Sequence, residues 1–213
     1  MLLLCFSACD SEEIDTSNHL APSMTNLNFS STSSIEGLKK TDTPTNYVLI
    51  EVSGYGSILV RLFPNVAPKT VENFKSLVED DFYDGLIFHR VIYGFMIQGG
   101  DPEGTGYGGS EETIAGEFSN NGFTNNLSHI RGVISMARNG YDMNSASSQF
   151  FIMHQTTTRL DGDYASFGYV VYGMDVVDEI ATATVDRNDK PGIDITIREI
   201  SFADVSDINF DIN

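Results

Sequence analysis

The stretch Phe88-His89-Arg90-Val91-Ile92-Tyr93-Gly94-Phe95-Met96-Ile97-Gln98-Gly99-Gly100-Asp101 reads as two short strands, at 87–91 and 95–98, broken at a glycine. Arg90 supplies a cation, Gln98 an amide, and Phe95 and Met96 bulky apolar groups. On adjacent strands these side chains can face one groove. A second cluster, Ser148-Gln149-Phe150-Phe151-Ile152, again sets an amide beside aromatic rings.

Outward from this pair, the chain continues as short strand-like runs separated by glycine turns. Tyr47–Val52 and 57–63 alternate as paired strands around the turn Ser53-Gly54-Tyr55-Gly56. Pro68 sits where a first helical turn tolerates proline, and Val71, Phe74, Leu77 and Val78 then recur at helical spacing through Asp80. Further strands fall at 133–137, 149–153, 167–172 and 193–200, and a second short helix at 174–182. Many short strands, two helices and no regular β-α alternation predict a mainly β fold, a closed or nearly closed antiparallel barrel rather than a parallel sheet.

With 213 residues and 41% apolar content, the chain can build one domain with a sizeable core plus a tail. Its net charge of -18, from 30 acidic and 12 basic residues, repels nucleic acid and anionic headgroups, so no nucleic-acid partner is expected. Both cysteines, Cys5 and Cys9, precede the body of the chain, which therefore has neither an internal disulfide nor a cysteine nucleophile. Beyond the leader no run approaches the roughly 18 apolar residues of a membrane span.

The leader Leu2-Leu3-Leu4-Cys5-Phe6-Ser7-Ala8-Cys9 resembles the end of a bacterial lipoprotein signal peptide, although it carries no basic segment and its apolar run is short. The resemblance implies that residues 1–9 are a partial signal peptide and that Cys9 is lipidated. Residues 10–43, rich in Ser, Thr and Asn, are expected to be a flexible tether, and residues 44–213 the folded domain. The acidic run Asp10-Ser11-Glu12-Glu13 resembles the surface-export signals of some Gram-negative lipoproteins. An exported, lipid-anchored protein of the bacterial envelope is the expectation, touching the membrane through the lipid alone.

Several co-linear motifs resemble the cyclophilins, the peptidyl-prolyl isomerase family. They are Pro68-Lys69-Thr70-Val71-Glu72-Asn73-Phe74, the FHR and GFMIQGGD runs at 88–101, Ser135-Met136-Ala137, Ser147-Ser148-Gln149-Phe150-Phe151-Ile152, and Leu160-Asp161-Gly162 leading to Phe167-Gly168. The resemblance implies a closed eight-stranded antiparallel barrel capped by two helices, and a monomer that needs neither cofactor nor metal. Its partners would be proline-containing polypeptides. Carried over position by position, it assigns Arg90 as the catalytic guanidinium with Gln98 beside it. It places Phe95, Met96, Phe151 and Leu160 around a proline pocket, and has Ala137, the backbone of Arg138 and Gln149 hold the substrate chain. Tyr164 stands where many members have histidine and offers a hydroxyl instead. Arg159 stands where many have a tryptophan at the pocket rim, which implies weak binding of cyclosporin.

The chemistry fits these assignments. Rotation about an X-Pro bond must overcome roughly 18–20 kcal/mol of amide resonance, and no bond breaks, so no nucleophile or proton shuttle is required. In the twisted state the prolyl nitrogen regains a lone pair, and a guanidinium aimed at it binds chiefly that state. His89, His129 and His154 are too scattered for a metal site, and His89 reads as a satisfied structural residue rather than a base. The GxGxxG spacing at 104–109 has no amphipathic helix after it, so it does not read as a nucleotide site. Asp161-Gly162-Asp163 is too short for a calcium loop and reads as a turn.

Overall fold

Strand β2 (Tyr47–Val52) pairs antiparallel with β3 (Gly56–Leu62) in unbroken register, from Tyr47 opposite Arg61 to Val52 opposite Gly56. The strand period of two sends Val48, Ile50 and Val52, with Ile58, Val60 and Leu62, into the main core. Leu49 and Leu59 point the other way, onto a smaller cluster with Ala203. The computed structural model describes residues 38–208. The expected signal peptide, Cys9 as the expected lipid site, most of the expected tether and the last five residues lie outside them.

The remaining elements are β1 (Lys39–Thr41), α1 (Pro68–Glu79), β4 (Arg90–Ile92), β5 (Met96–Gly99), β6 (Val133–Met136), β7 (Phe150–Met153), β8 (Ser166–Tyr172), α2 (Met174–Ala181) and β9 (Ile197–Asp204). All ladders are antiparallel, in the order β1-β9-β2-β3-β8-β6-β7-β5-β4. The fold is mainly β with two helices, as expected. The expected closed ring of eight strands is not seen, because among the described residues nine strands form a linear order with β1 and β4 as its ends. Between the β4 and β9 sides there is a single isolated bridge, Ile87 to Thr196, with three backbone bonds around it (Gly85 N to Ile197 O, Ile197 N to Leu86 O, Phe88 N to Ile195 O). The predicted strand at 87–91 is correspondingly split. Its first half makes this bridge and its second half begins β4. The ninth strand, β1, comes from the end of the segment read as tether and lies against β9.

The core is aromatic where helix meets sheet. Phe74 of α1 lies 5.1 Å from Tyr83, 5.7 Å from Phe150 and 5.2 Å from Phe167, ring centre to ring centre, within the range of favourable tilted and edge contacts. Thr70, Val71, Phe74 and Val78 are the buried stripe of α1, at the spacing that predicted the helix.

Pro68 starts α1, but Ala67 before it has no side chain with which to cap the helix. Glu117, from the loop ahead of β6, does so from a distance. Its carboxylate accepts the N–H groups of Lys69 (3.1 Å) and Thr70 (2.8 Å) and the Thr70 hydroxyl (2.7 Å), and it is 2% exposed. A negative charge at a helix N-terminus also favours the helix dipole. Replacing Glu117 with Ala strands these donors, and a loss of roughly 1–3 kcal/mol is expected in urea-unfolding free energy.

Candidate active site

Four strands, β4, β5, β7 and β6, carry two rows of side chains on opposite faces. Val91, Ile97, Ile152 and Ile134 are cross-strand partners in sequence, and all four are buried in the main core. One residue away on each strand, Arg90, Gln98, Phe151 and Ser135 form the neighbouring row on the other face. The row after that is Ile92, Met96 and Met153. The second face thus presents a cation and an amide beside an apolar floor.

That floor is a separate cluster of buried Phe63, Met96, Leu127, Val133, Phe151 and Met153. Half-buried Phe95, Ala137, Leu160 and Tyr164 pack against it. Every apolar residue assigned to the proline pocket therefore falls in one group. Tyr164 meets Phe151 edge-on at 5.7 Å, and its hydroxyl makes no hydrogen bond among the described residues.

Arg90 is 43% exposed in its side chain and is held at two points. Its Nε faces Asp189 Oδ2 and its Nη1 faces Gln98 Oε1, both at 3.4 Å, longer than a strong N–H···O bond. Its Nη2 makes no hydrogen bond among the described residues. Asp189 was not anticipated: it lies in a small turn bracketed by the Val185–Pro191 bridge, at φ 65°, and its carbonyl also accepts the Val91 N–H at 2.8 Å. The amides form a chain, with Gln98 Nε2 donating to Gln149 Oε1 (2.8 Å) and Gln149 Nε2 to Gly108 O (2.7 Å). Gln149 is placed by a close crossing of backbones. Gly100, at φ 83°, leaves only 2.5 Å between an added Cβ and Ser148 O, and the Ser148 hydroxyl donates to Gly100 O.

Ala137 donates its N–H to Gln149 O at 2.9 Å, which ends the β6–β7 pairing. The next backbone unit, Arg138, makes no backbone hydrogen bond among the described residues and so leaves a donor and an acceptor at the groove. The Arg138 guanidinium turns away to Asp163 O (2.8 Å) and Asn139 O (2.9 Å), lying over Tyr164 at 4.9 Å.

The histidines prove more structural than their scatter suggested, and one differs from its reading. His129 stacks at 6.0 Å on Phe151, donates from Nδ1 to Asp161 Oδ1 (2.8 Å) and meets Ser135 Oγ with Nε2 (3.0 Å). This is the connectivity of a Ser-His-Asp triad. With Ser135 at 0% and His129 at 1% exposure no substrate reaches it, and it braces Phe151 instead. Asp161, read as a mere turn residue, is the anchor of that brace. His154 accepts the Gly94 N–H on Nδ1 (3.0 Å) and faces Asp178 with Nε2 (3.3 Å), which ties down the turn carrying Phe95. A polar cleft of about 500 Å³ borders this turn through Tyr93 and His154, with Arg131 and Asp178, and holds none of the Arg90 row. His89, expected to be satisfied, is 4% exposed, and neither ring nitrogen reaches hydrogen-bond geometry among the described residues, although the Gln149 side chain is near enough to favour its charged form.

The glycine-rich loop at 104–109 wraps a carboxylate of its own chain. Asp101 accepts the N–H groups of Glu103 (2.8 Å), Thr105 (2.8 Å) and Gly106. Burial alone would raise the Asp101 pKa, but these donors outweigh it and hold it below the ordinary carboxylate value. The N–H groups of Thr105 and Gly106, which could have met a phosphate, are thus already occupied. Among the described residues no group of three or more His, Cys, Asp or Glu could hold a metal ion, and no helix is long and apolar enough to cross a membrane.

Comparison with known proteins identifies the family. The family described as cyclophilin type peptidyl-prolyl cis-trans isomerase/CLD matches residues 47–202. The chain belongs to this family. A Schizosaccharomyces pombe protein named peptidyl-prolyl cis-trans isomerase is 44% identical over 137 residues, 64% of this chain and 86% of that protein. A Rhizopus delemar protein so named is 49% identical over 146 residues, 68% of this chain, but this chain spans only 22% of its length. Among solved structures, a cyclophilin type isomerase of Cryptosporidium parvum, crystallised in the presence of the dipeptide Ala-Pro, superposes with a TM-score of 0.68. It is 34% identical, and the match covers 73% of this chain and 98% of that one. In this cyclophilin-family chain Arg159 lies over the Phe95 ring at 5.2 Å, and there is no tryptophan anywhere in the sequence.

The three buried histidines give the fold a pH dependence. Burial lowers the pKa of His89, His129 and His154 below the ordinary 6.5, despite nearby carboxylates that act to raise it. The folded state therefore binds fewer protons than the unfolded chain as pH drops through 6.5. This stabilisation is complete above about 6.5 and is lost as pH falls toward the depressed values. The thermal midpoint is expected to be lower at pH 5.5 than at pH 7.5, by calorimetry at constant ionic strength. An equal or higher midpoint at pH 5.5 contradicts this account.

Proposed function

We propose that this chain is a peptidyl-prolyl cis-trans isomerase in which Arg90 stabilises the twisted state of the X-Pro bond. The observation that carries the reading is the Arg90 guanidinium, half exposed above an apolar pocket and with Nη2 uncommitted among the described residues. The Ala-Pro dipeptide present with the Cryptosporidium parvum relative supports a proline-containing ligand.

The proline ring packs against Phe95, Met96, Phe151 and Leu160, and the substrate backbone runs along Arg138, with Gln149 and Ala137 at its side. As the bond twists, the prolyl nitrogen becomes an acceptor and Nη2 donates to it. The ground state offers no such acceptor, so the bond lowers the barrier instead of tightening the substrate complex. Gln98 and Asp189 fix the guanidinium before substrate arrives, so little reorganisation is needed at the moment of rotation. The apolar floor lowers the local dielectric and strengthens the same bond. A 10⁵-fold acceleration requires about 7 kcal/mol, within reach of one charge-assisted hydrogen bond, orientation and a dry pocket together.

The clients of this activity are exported proteins, and the enzyme is a monomer held at the bacterial envelope by a lipid on Cys9. The leader ending Ser7-Ala8-Cys9 and the Ser/Thr/Asn-rich segment after it support this placement. Mass spectrometry of the mature N-terminus tests it; an unmodified Cys9 removes the anchor.

Substituting Arg90 with Ala is expected to lower kcat/KM for a proline peptide by roughly 10²–10³-fold while leaving the fold intact by circular dichroism. Equal rates remove the role of Arg90, and absence of activity in both proteins favours proline binding without catalysis. No proton is transferred, so the rate is expected to stay nearly flat between about pH 6 and 9; a bell-shaped profile counts against the mechanism. Cyclosporin is expected to bind weakly, and Arg159→Trp to tighten it. A nanomolar dissociation constant for the unsubstituted protein overturns that expectation.

A further inference from the structure

We infer that Arg159 sets substrate specificity, favouring segments with a carboxylate side chain adjacent to the isomerised proline. The inference rests on the isomerase reading of this site. Arg159 lies in the 3-10 turn Thr158–Leu160, directly before the pocket residue Leu160. Its guanidinium stands 5.2 Å from the centre of the Phe95 ring, and Phe95 and Leu160 belong to the same apolar cluster as Met96 and Phe151. The charge is therefore fixed at the rim of the pocket itself.

What distinguishes Arg159 is unused donors combined with its place against Phe95 and beside Leu160. Arg61 and Arg187 also show no hydrogen bond or ion pair among the described residues, but Arg61 lies over Tyr47 and Phe63 and Arg187 follows Asp186, away from both. Arg90 faces Asp189, Arg131 is paired bidentately with Asp178, and Arg198 meets Glu51. Arg138 also stacks on an aromatic ring of the pocket, but it donates to two backbone carbonyls. Arg159 is exposed and, among the described residues, has neither a carboxylate nor a hydrogen-bond partner. The contact with Phe95 limits where the guanidinium can lie while consuming none of its five N–H groups. Two of these can meet one carboxylate in parallel, a geometry that neither a neutral amide nor a cation on the substrate can match.

The rest of the molecule opposes such a ligand. A net charge of -18 repels an acidic peptide at long range, whereas the pull of Arg159 is felt within a Debye length of about 8–10 Å. The preference must therefore be read between substrates that differ only beside the proline, so that the long-range field largely cancels.

The test uses peptide pairs that carry Glu or Gln at one position, immediately before or immediately after the proline. For each pair the Glu-to-Gln ratio of kcat/KM is measured for the unsubstituted protein, for R159Q and for R159K. A ratio of about two to five is expected at one of the two positions in the unsubstituted protein. It is expected to fall to about one or below in R159Q, to be partly kept in R159K, and to shrink as salt is raised. No Glu preference at either position, or a preference that R159Q leaves unchanged, overturns the inference. If no peptide is turned over, the isomerase reading has failed instead. The same ratio, taken as dissociation constants from NMR titrations, then still decides the role of Arg159.

Discussion

Register between β4, β5, β7 and β6 is the constraint on which this site depends. Strand side chains alternate between faces, so aligning Arg90 with Gln98, Phe151 and Ser135 also aligns Val91 with Ile97, Ile152 and Ile134. The second row fixes the first. Val91, Ile97, Ile152 and Ile134 are 1% exposed or less, and their burial against both helices and the far strands strongly disfavours any slip. A one-residue slip of β4 alone would turn Val91 outward and force the guanidinium of Arg90 into the aliphatic core, where an unpaired charge is far more costly than any hydrogen bond it could recover. The hydrophobic core thus holds the cation in position without touching it.

Much of this could be read along the chain. The alternation of the runs around 87–101 and 148–153 was enough to put Arg90, Gln98 and the aromatics on adjacent strands, and the helical spacing of Val71, Phe74 and Val78 was enough for α1. Strand ends moved by up to four residues: 47–52 kept both ends, most others shifted by one, and the last strand, expected at 193–200, lies at Ile197–Asp204. The join between the two ends of the sheet was not legible. Whether 85–88 meets 195–197 as a ladder or as one bridge depends on how the loops between them pack, and no local pattern encodes that.

The polar supports were the least legible part of the site. Arg90 and Asp189 are separated by 99 residues, Thr70 and Glu117 by 47, and His129 and Asp161 by 32. Each acidic partner lies in a loop or turn, where a carboxylate looks like ordinary solvated surface. Nothing near Asp161 in sequence indicates that it will brace a histidine beneath Phe151. The GxGxxG spacing misled in the opposite direction, since its glycines permit a loop whose N–H groups fold around Asp101 of the same chain.

These supports also explain why the site contains so little acid-base chemistry. His129 is committed to Asp161 and Ser135, and His154 to the Gly94 amide and Asp178; burial keeps both neutral around pH 7. His89, beside Arg90, is likewise held neutral by burial and shares no hydrogen bond with it among the described residues. Two of the groups that could shuttle protons are thus spent on holding Phe151 and the Phe95 turn, and the third is buried beside Arg90. What remains at the groove is a guanidinium that cannot lose its proton, with Asp189 paired to it, amides that titrate at no accessible pH, the phenol of Tyr164 and apolar rings. Such a set is poorly suited to breaking a bond. It suits a reaction whose only demand is a fixed donor for a nitrogen that becomes basic as the amide twists, and whose barrier falls in proportion to how little that donor has to move.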